Sequence, residues 1–198
     1  MTKIIGITGG VGAGKSTVLG YIEKKCKCRI IFSDDVANDI KLRGRPCYEP
    51  IVKLLSTDIL GSDQEIDKKK MAAKIFSDEK LLKQVNDILH PAVNEFIHEE
   101  IRRERELGEL EYLFIEAALL IENGYDRIVD ELWYIYATED VRRQRLKASR
   151  GYSDEKINDI LNGQLSDEEF RKFADFVIDN SGDEEETKRQ IDLKLGEN

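Results

Sequence analysis

The chain has 198 residues, with 40 acidic against 31 basic side chains and a formal charge of -9. A chain this long buries roughly 70% of its unfolded surface on folding, so neither disulfides nor a structural metal are needed for a core. The acidic balance argues against broad binding to nucleic acid or to an anionic membrane, leaving room for a local basic pocket that holds phosphates.

No stretch is long and apolar enough to cross a membrane, and Met1-Thr2-Lys3-Ile4-Ile5-Gly6 runs directly into a motif without a signal-peptide pattern. Three cysteines, Cys26, Cys28 and Cys47, form no disulfide framework. Cys26-Lys27-Cys28 is too closely spaced for a zinc knuckle and has no second pair, so reduced cysteines in a cytoplasmic protein are expected.

In chain order, Lys3 to Thr8 is a β-branched apolar run that predicts a buried strand, followed by a loop at Gly9 to Gly14. Val18, Leu19, Ile22 and Cys26 recur at helical spacing and predict a helix from Lys15 to Cys26. A second strand is expected at Arg29 to Phe32. Helices are then expected over Asp34 to Leu42, Pro46 to Leu55, Asp67 to Phe76 and Asp78 to Leu89. Pro91 should open a further helix with Val93, Phe96, Ile97 and Ile101 inward, its charged tail Glu99 to Glu106 reading as a solvated face with i,i+4 pairs.

Strands return at Tyr112 to Ala117 and Leu132 to Ala137. Thr138 is positioned to cap an Arg-rich helix at Glu139 to Ala148. Ser153-Asp154-Glu155 starts another helix, and Ser166-Asp167-Glu168-Glu169 forms a capping box. Phe176 to Ile178 is a last strand, and Asp183 to Leu195 a closing helix.

Strands alternating with helices predict an α/β fold with a parallel sheet covered on both faces. The helical stretch from Asp34 to Arg105 is too long for a simple crossover and reads as an inserted substrate-binding or lid region.

The densest chemical signal is Gly9-Gly10-Val11-Gly12-Ala13-Gly14-Lys15-Ser16, which fits G-x-x-x-x-G-K-[ST]. Glycines let successive N–H groups turn toward phosphate oxygens, and the following helix points its positive end at the anion. Lys15 can reach the β- and γ-phosphates, Ser16 can hold Mg²⁺, and Thr17 can contact the α-phosphate. Binding of ATP or GTP follows.

An N-K-x-D guanine-reading motif is missing after the strand ending at Ala137, where Thr138-Glu139-Asp140 follows. A small-molecule kinase further needs an acid at the acceptor hydroxyl, an acid for Mg²⁺, and arginines for developing charge. Asp34 or Asp35, after the second strand, suits the first role, with helix capping as the alternative for Asp34. Glu116, ending a strand, suits the second through water. Arg142, Arg143, Arg145 and Arg150 supply the third, with Arg142 and Arg145 on one helix face. These residues leave open a kinase for one of several small alcohols or nucleotides, and a nucleotide-binding protein without turnover.

With these residues in view, the chain resembles the dephospho-CoA kinase family over nearly its full length. The resemblance rests on I-G-I-T-G-G-V-G-A-G-K-S-T at Ile5 to Thr17, S-D-D-V-A at Ser33 to Ala37, and His90-Pro91. It continues in L-L-I-E-N-G at Leu119 to Gly124, Gln164 followed by Ser166, and A-D-F-V-I-D-N-S-G at Ala174 to Gly182.

The resemblance implies a P-loop kinase fold, a five-stranded parallel sheet flanked by helices, with a helical CoA-binding insertion and a lid. It implies one kinase domain, with a core over about 1–44, 107–137 and 164–198, a helical substrate region over about 45–106 and a lid over about 138–163. It implies transfer of the ATP γ-phosphate to the ribose 3′-hydroxyl of dephospho-CoA, with Mg²⁺, in the cytoplasm, by a monomer or weak homo-oligomer, with no nucleic-acid or membrane partner.

By position, the resemblance makes Asp34, Lys15 and Arg145 catalytic. It assigns ATP to Gly10, Val11, Gly12, Ala13, Gly14, Lys15, Ser16, Thr17, Arg145 and Asn180. Asp34, His90 and Glu116 fall to the acceptor, and Ser16 and Glu116 to the metal. Three positions depart from the family pattern. Phe32 stands where an aspartate is common, Glu116-Ala117-Ala118-Leu119-Leu120 replaces an aspartate and a Pro-Leu-Leu run, and Ser149 occupies the place of a second lid arginine, with Arg150 next to it.

Overall fold

The computed structural model describes residues 1–117, 119–122 and 124–196. Asn123, in the L-L-I-E-N-G segment quoted for the resemblance, and Ala118, in the segment that departs from the family pattern, lie outside the described residues. The chain divides into two compact units, 1–30 with 107–198, and 31–106.

The first unit is built on a five-stranded sheet in the order β2-β3-β1-β4-β5, formed by β1 (Lys3–Thr8), β2 (Cys28–Phe32, whose last residues lead into the second unit), β3 (Tyr112–Glu116), β4 (Glu131–Tyr136) and β5 (Phe176–Asp179). Ile5 pairs with Phe114, Ile7 with Trp133 and Tyr134 with Val177, all in parallel register. Strands β1, β3 and β4 are buried almost throughout, the pattern of a parallel sheet with both faces covered. Phe114, Trp133 and Phe176 meet edge-to-face across three strands, at 5.7 and 5.4 Å between ring centroids. Trp133 and its neighbour Tyr134 are therefore sheet-core residues.

Around this sheet lie α1 (Lys15–Ile22), α6 (Glu139–Arg150), α7 (Asp154–Asn162), α8 (Asp167–Phe173) and α9 (Glu184–Leu195). The capping box at Ser166 forms as predicted, with Ser166 and Glu169 bonding each other's backbone N–H. Thr138 occupies the N-cap position of α6, but its side chain makes no capping bond, contrary to expectation. Its N–H instead donates to Ser181 Oγ at 2.9 Å. Helix α1 is shorter than predicted, ending at Ile22 in a series of turns.

The second unit contains α2 (Ser33–Asp39), α3 (Tyr48–Leu55), α4 (Lys68–Phe76) and most of α5 (Glu79–Leu107). The sequence predicts a break at Pro91, yet α5 runs unbroken for 29 residues. Proline removes one backbone bond and crowds the preceding turn. The buried residues Val85, Leu89, Val93, Ile97 and Ile101 recur every four positions and carry one apolar stripe through it. The charged tail is also not simply solvated, since Glu100 and Glu104 are buried, and the Arg103 guanidinium lies 2.7 Å from Glu100. Arg102 pairs with Glu99 and Arg103 with Glu100 at i,i+3 spacing, and Arg103 also lies 3.6 Å from Glu104. Among the described residues, no helix is long and apolar enough to cross a membrane.

Candidate active site

The loop between β1 and α1 folds around its own backbone. Ala13 N–H donates to Gly10 O at 3.1 Å, and Gly14, at φ 91°, takes the left-handed conformation that starts α1. No side chain caps α1 and no acid stands in its first turn. The N–H groups of Gly12, Gly14, Lys15 and Ser16 donate to no acceptor among the described residues. Converging N–H groups at a helix N-terminus form a site for an anion, phosphate above all.

Lys15 folds back over this loop. Its Nζ donates to Gly9 O at 2.8 Å and lies 3.4 Å from Glu116 Oε1, both side chains being largely buried. Lys15 and Glu116 thus sit together, Lys15 because α1 follows the loop and Glu116 because β3 pairs with β1 up to Ile7. Ser16 and Thr17 are exposed at the start of α1.

Helix α6 braces the loop from the side. Arg142 Nε donates to Val11 O at 2.9 Å, and its terminal nitrogen donates to Gln164 Oε1 at 2.6 Å. That same Gln164 oxygen accepts from Val11 N–H at 3.2 Å. Arg145 donates to Ala13 O at 3.1 Å and to Asn180 O at 2.8 Å. Asn180 is buried, and its amide donates to Ala13 O at 2.7 Å while accepting from the Thr187 hydroxyl at 3.1 Å. A Cβ at Gly10 would strike the Arg142 guanidinium, and one at Gly14 would strike the Asn180 amide nitrogen. Burial lowers the pKa of Arg142 from its usual value, partly opposed by Tyr134 and Glu139. The guanidinium stays charged.

Of the predicted arginines, Arg142 and Arg145 meet the loop. Arg143 is directed to Glu139 and Asn158, at 2.7 Å from each. Arg150 lies over the Tyr152 ring, 5.8 Å from its centroid, and Ser149 bonds back to Arg145 O. Gln164 and Thr187 are structural partners of the site to which the sequence assigned no role. Gln164 carried a signal only as part of the quoted resemblance, and Thr187 carried none.

In the second unit, Asp34 is exposed in the first turn of α2. It does not cap the helix, because the N-cap position is Phe32. His90 is exposed on α5, beside Pro91. Volume alone does not locate the chemistry. A cavity of about 780 Å³ lined by Lys3, Lys25, Cys26, Glu111 and Asp130 lies at the N-terminal ends of β1 and β3, the end of the sheet away from the phosphate loop.

A five-stranded parallel sheet in this order, with a G-x-x-x-x-G-K-S loop between its central strand and the next helix, defines a P-loop kinase fold. The CoaE family model, dephospho-CoA kinase, matches residues 3–186. The chain belongs to the dephospho-CoA kinase family. It is 36% identical to the dephospho-CoA kinase of Carboxydothermus hydrogenoformans over 95% of this chain and 90% of that one. It is similar to the crystal structure of TT1252 from Thermus thermophilus, with TM-score 0.81 and 29% identity, over 99% of this chain and 97% of that one. It shares its fold with the dephospho-CoA kinase of Campylobacter jejuni, with TM-score 0.77 and 23% identity, over 100% and 97% of the two chains.

Proposed function

We propose that the chain transfers the γ-phosphate of ATP to the ribose 3′-hydroxyl of dephospho-CoA, giving CoA and ADP, the last step of CoA biosynthesis. The observation that carries this reading is the ring of undirected N–H groups at Gly12, Gly14, Lys15 and Ser16, with the Lys15 ammonium over the same loop, in a chain of this family.

In this reading, residues Gly10 to Thr17 cradle the nucleotide phosphates, and Lys15 neutralises charge at the β- and γ-phosphates. Arg145 exchanges its carbonyl partners for the charge that develops during transfer, and Asn180 lies toward the adenine. Asp34 orients the acceptor hydroxyl and takes its proton, and its exposure and lack of a capping bond suit it to this task. His90 and Pro91 shape the acceptor site, within a substrate region over about 45–106, and α6 and α7 form the lid over about 138–163.

Phosphoryl transfer from ATP uses a divalent cation, here assigned as Mg²⁺. The donor set fits, because the Ser16 hydroxyl and the Glu116 carboxylate are hard oxygens beside the loop and Mg²⁺ bound to ATP takes only one or two ligands from protein. When bound, the cation supplies charge neutralisation at the phosphates. The reduced cysteines and the absence of a membrane-crossing helix among the described residues suit a cytoplasmic enzyme.

The test is ADP release with ATP and Mg²⁺, with and without dephospho-CoA, followed by analysis of the product for a 3′-phosphate. Dephospho-CoA-dependent turnover is expected, and Asp34→Asn should abolish it while retaining ATP affinity. ATP binding without dephospho-CoA-dependent turnover in the wild type overturns the proposal.

A further inference from the structure

A peptide unit is planar and trans, so a carbonyl turned one way sends the next residue's N–H the other way. In the phosphate loop the carbonyls of Val11 and Ala13 are each held by an arginine of α6. The N–H groups that share those two peptides, of Gly12 and Gly14, donate to no acceptor among the described residues. The two holds differ. Ala13 O is taken by both Arg145 and Asn180, at 3.1 and 2.7 Å. Val11 O accepts from Arg142 Nε at 2.9 Å and from no other donor among the described residues.

Arg142 is itself fixed. Its terminal nitrogen donates to Gln164 Oε1 at 2.6 Å, and the same oxygen accepts from Val11 N–H at 3.2 Å. Both partners are donors, which sets the Gln164 amide with its oxygen toward them. The guanidinium lies so close to Gly10 that a Cβ added there would overlap it. Val11 is thus gripped at both its N–H and its C=O, by one residue early in α6 and one just after α7. No carboxylate is in ion-pair contact with Arg142 among the described residues, so its charge falls on neutral groups, the Val11 carbonyl and the Gln164 amide. A hydrogen bond from a cation is roughly twice as strong as a neutral one and polarises the group that accepts it. The peptide polarised here is Val11–Gly12, whose other end is the Gly12 N–H.

We propose that Arg142 is a positioning residue for phosphate recognition: anchored by Gln164, it fixes and polarises the Val11–Gly12 peptide, so that the Gly12 N–H is aimed at a nucleotide phosphate and is a stronger donor to it. The inference rests on phosphate binding at this loop, which belongs to the kinase reading, and is independent of the acceptor. Arg142 acts through the backbone and keeps its bonds when the nucleotide arrives, whereas Arg145 exchanges its own. Gly14 is the internal comparison, since its peptide is held by Arg145 and Asn180 without Arg142.

The experiment uses the full chain with Arg142→Met, Arg142→Lys and Gln164→Met, titrated with ADP and with inorganic tripolyphosphate. Arg142→Met should weaken both Kd values by about tenfold, the worth of one hydrogen bond to a charged group, and leave the KM for dephospho-CoA within twofold of wild type. Arg142→Lys keeps the charge and loses the fork that reaches both Val11 and Gln164, so it should recover part of the loss, and Gln164→Met should weaken both Kd values about threefold. With glycine labelled by ¹⁵N, ADP should move the amide protons of Gly12 and Gly14 downfield in the wild type. In Arg142→Met the Gly12 response should fall by at least half and the Gly14 response persist, a contrast that a brace serving only the fold does not produce. If Arg142→Met does not fold, Arg142→Lys and Gln164→Met decide by the same contrast. Variants within twofold of a wild type that binds ADP overturn the positioning role and leave the kinase reading standing. Equal losses at Gly12 and Gly14, or a loss for ADP without one for tripolyphosphate, overturn it as well. A Gly12-specific loss in a chain that does not turn over dephospho-CoA sinks the kinase reading alone, and a wild type that binds neither ADP nor tripolyphosphate sinks both.

Discussion

The Lys15 ammonium lies 3.4 Å from Oε1 of Glu116 and 2.8 Å from the carbonyl of Gly9. Two sequence-distant groups, one opening the helix that follows β1 and one at the end of β3, are joined because these strands are parallel neighbours. The ammonium is held over the loop by partners that a nucleotide phosphate can replace, since the phosphate carries more negative charge than a carbonyl and a single carboxylate.

Lys15→Ala should therefore remove most phosphoryl transfer, by about 10²-fold or more, because backbone dipoles do not replace a mobile full charge. ADP release with saturating dephospho-CoA is the measurement, and a variant keeping more than half the wild-type rate would refute the role.

Gly14→Ala should damage the loop twice over. Its φ of 91° costs an L side chain about 1–2 kcal/mol, and the new Cβ meets the Asn180 amide nitrogen. Weaker ATP binding and a lower Tm are expected. Adding Asn180→Ala should recover only part of the loss, since it removes the clash and leaves the backbone strain. Full recovery in the double variant would show the strain to be unimportant.

Pro91 separates stability from function. It is exposed within α5, so Pro91→Ala loses little packing and regains a backbone bond. Urea unfolding should show stabilisation, by up to about 3 kcal/mol. If the His90-Pro91 pair shapes the acceptor site, the KM for dephospho-CoA should rise at least threefold in the same variant. An unchanged KM would remove the pair from that site.

Burial pushes the Cys26 thiol up to about 12, with Cys28 and Glu111 adding to the effect, and Cys28 is raised chiefly by burial as well. A raised pKa means less thiolate at a given pH, and thiolate is the reactive form. Alkylation of Cys26 at pH 8 should be far slower than in the unfolded chain, with a rate still climbing at pH 10. A rate that levels off near pH 9 would contradict the burial argument.

Much was legible locally. The phosphate loop is a contiguous motif, and the strand before it and helix after it follow from residue types within a few positions. The capping box at Ser166 is a four-residue pattern and forms as read. Pro91 misled because a local rule met a stripe of five buried side chains spaced over 17 positions. Glu100 and Glu104 misled because their charge predicts solvent, while their position beside Ile97 and Ile101 sets them inside.

The sequence by itself determined the phosphate loop, the alternation of strands and helices and, through its ordered motifs, the family. Such features need only the spacing of neighbouring residues. Tertiary structure alone decided that Arg142 and Arg145, rather than Arg143 or Arg150, brace the loop, and that Gln164 and Asn180 complete that brace. These pairings join residues separated by 131 to 167 positions, and no local preference encodes where packing brings such distant side chains together.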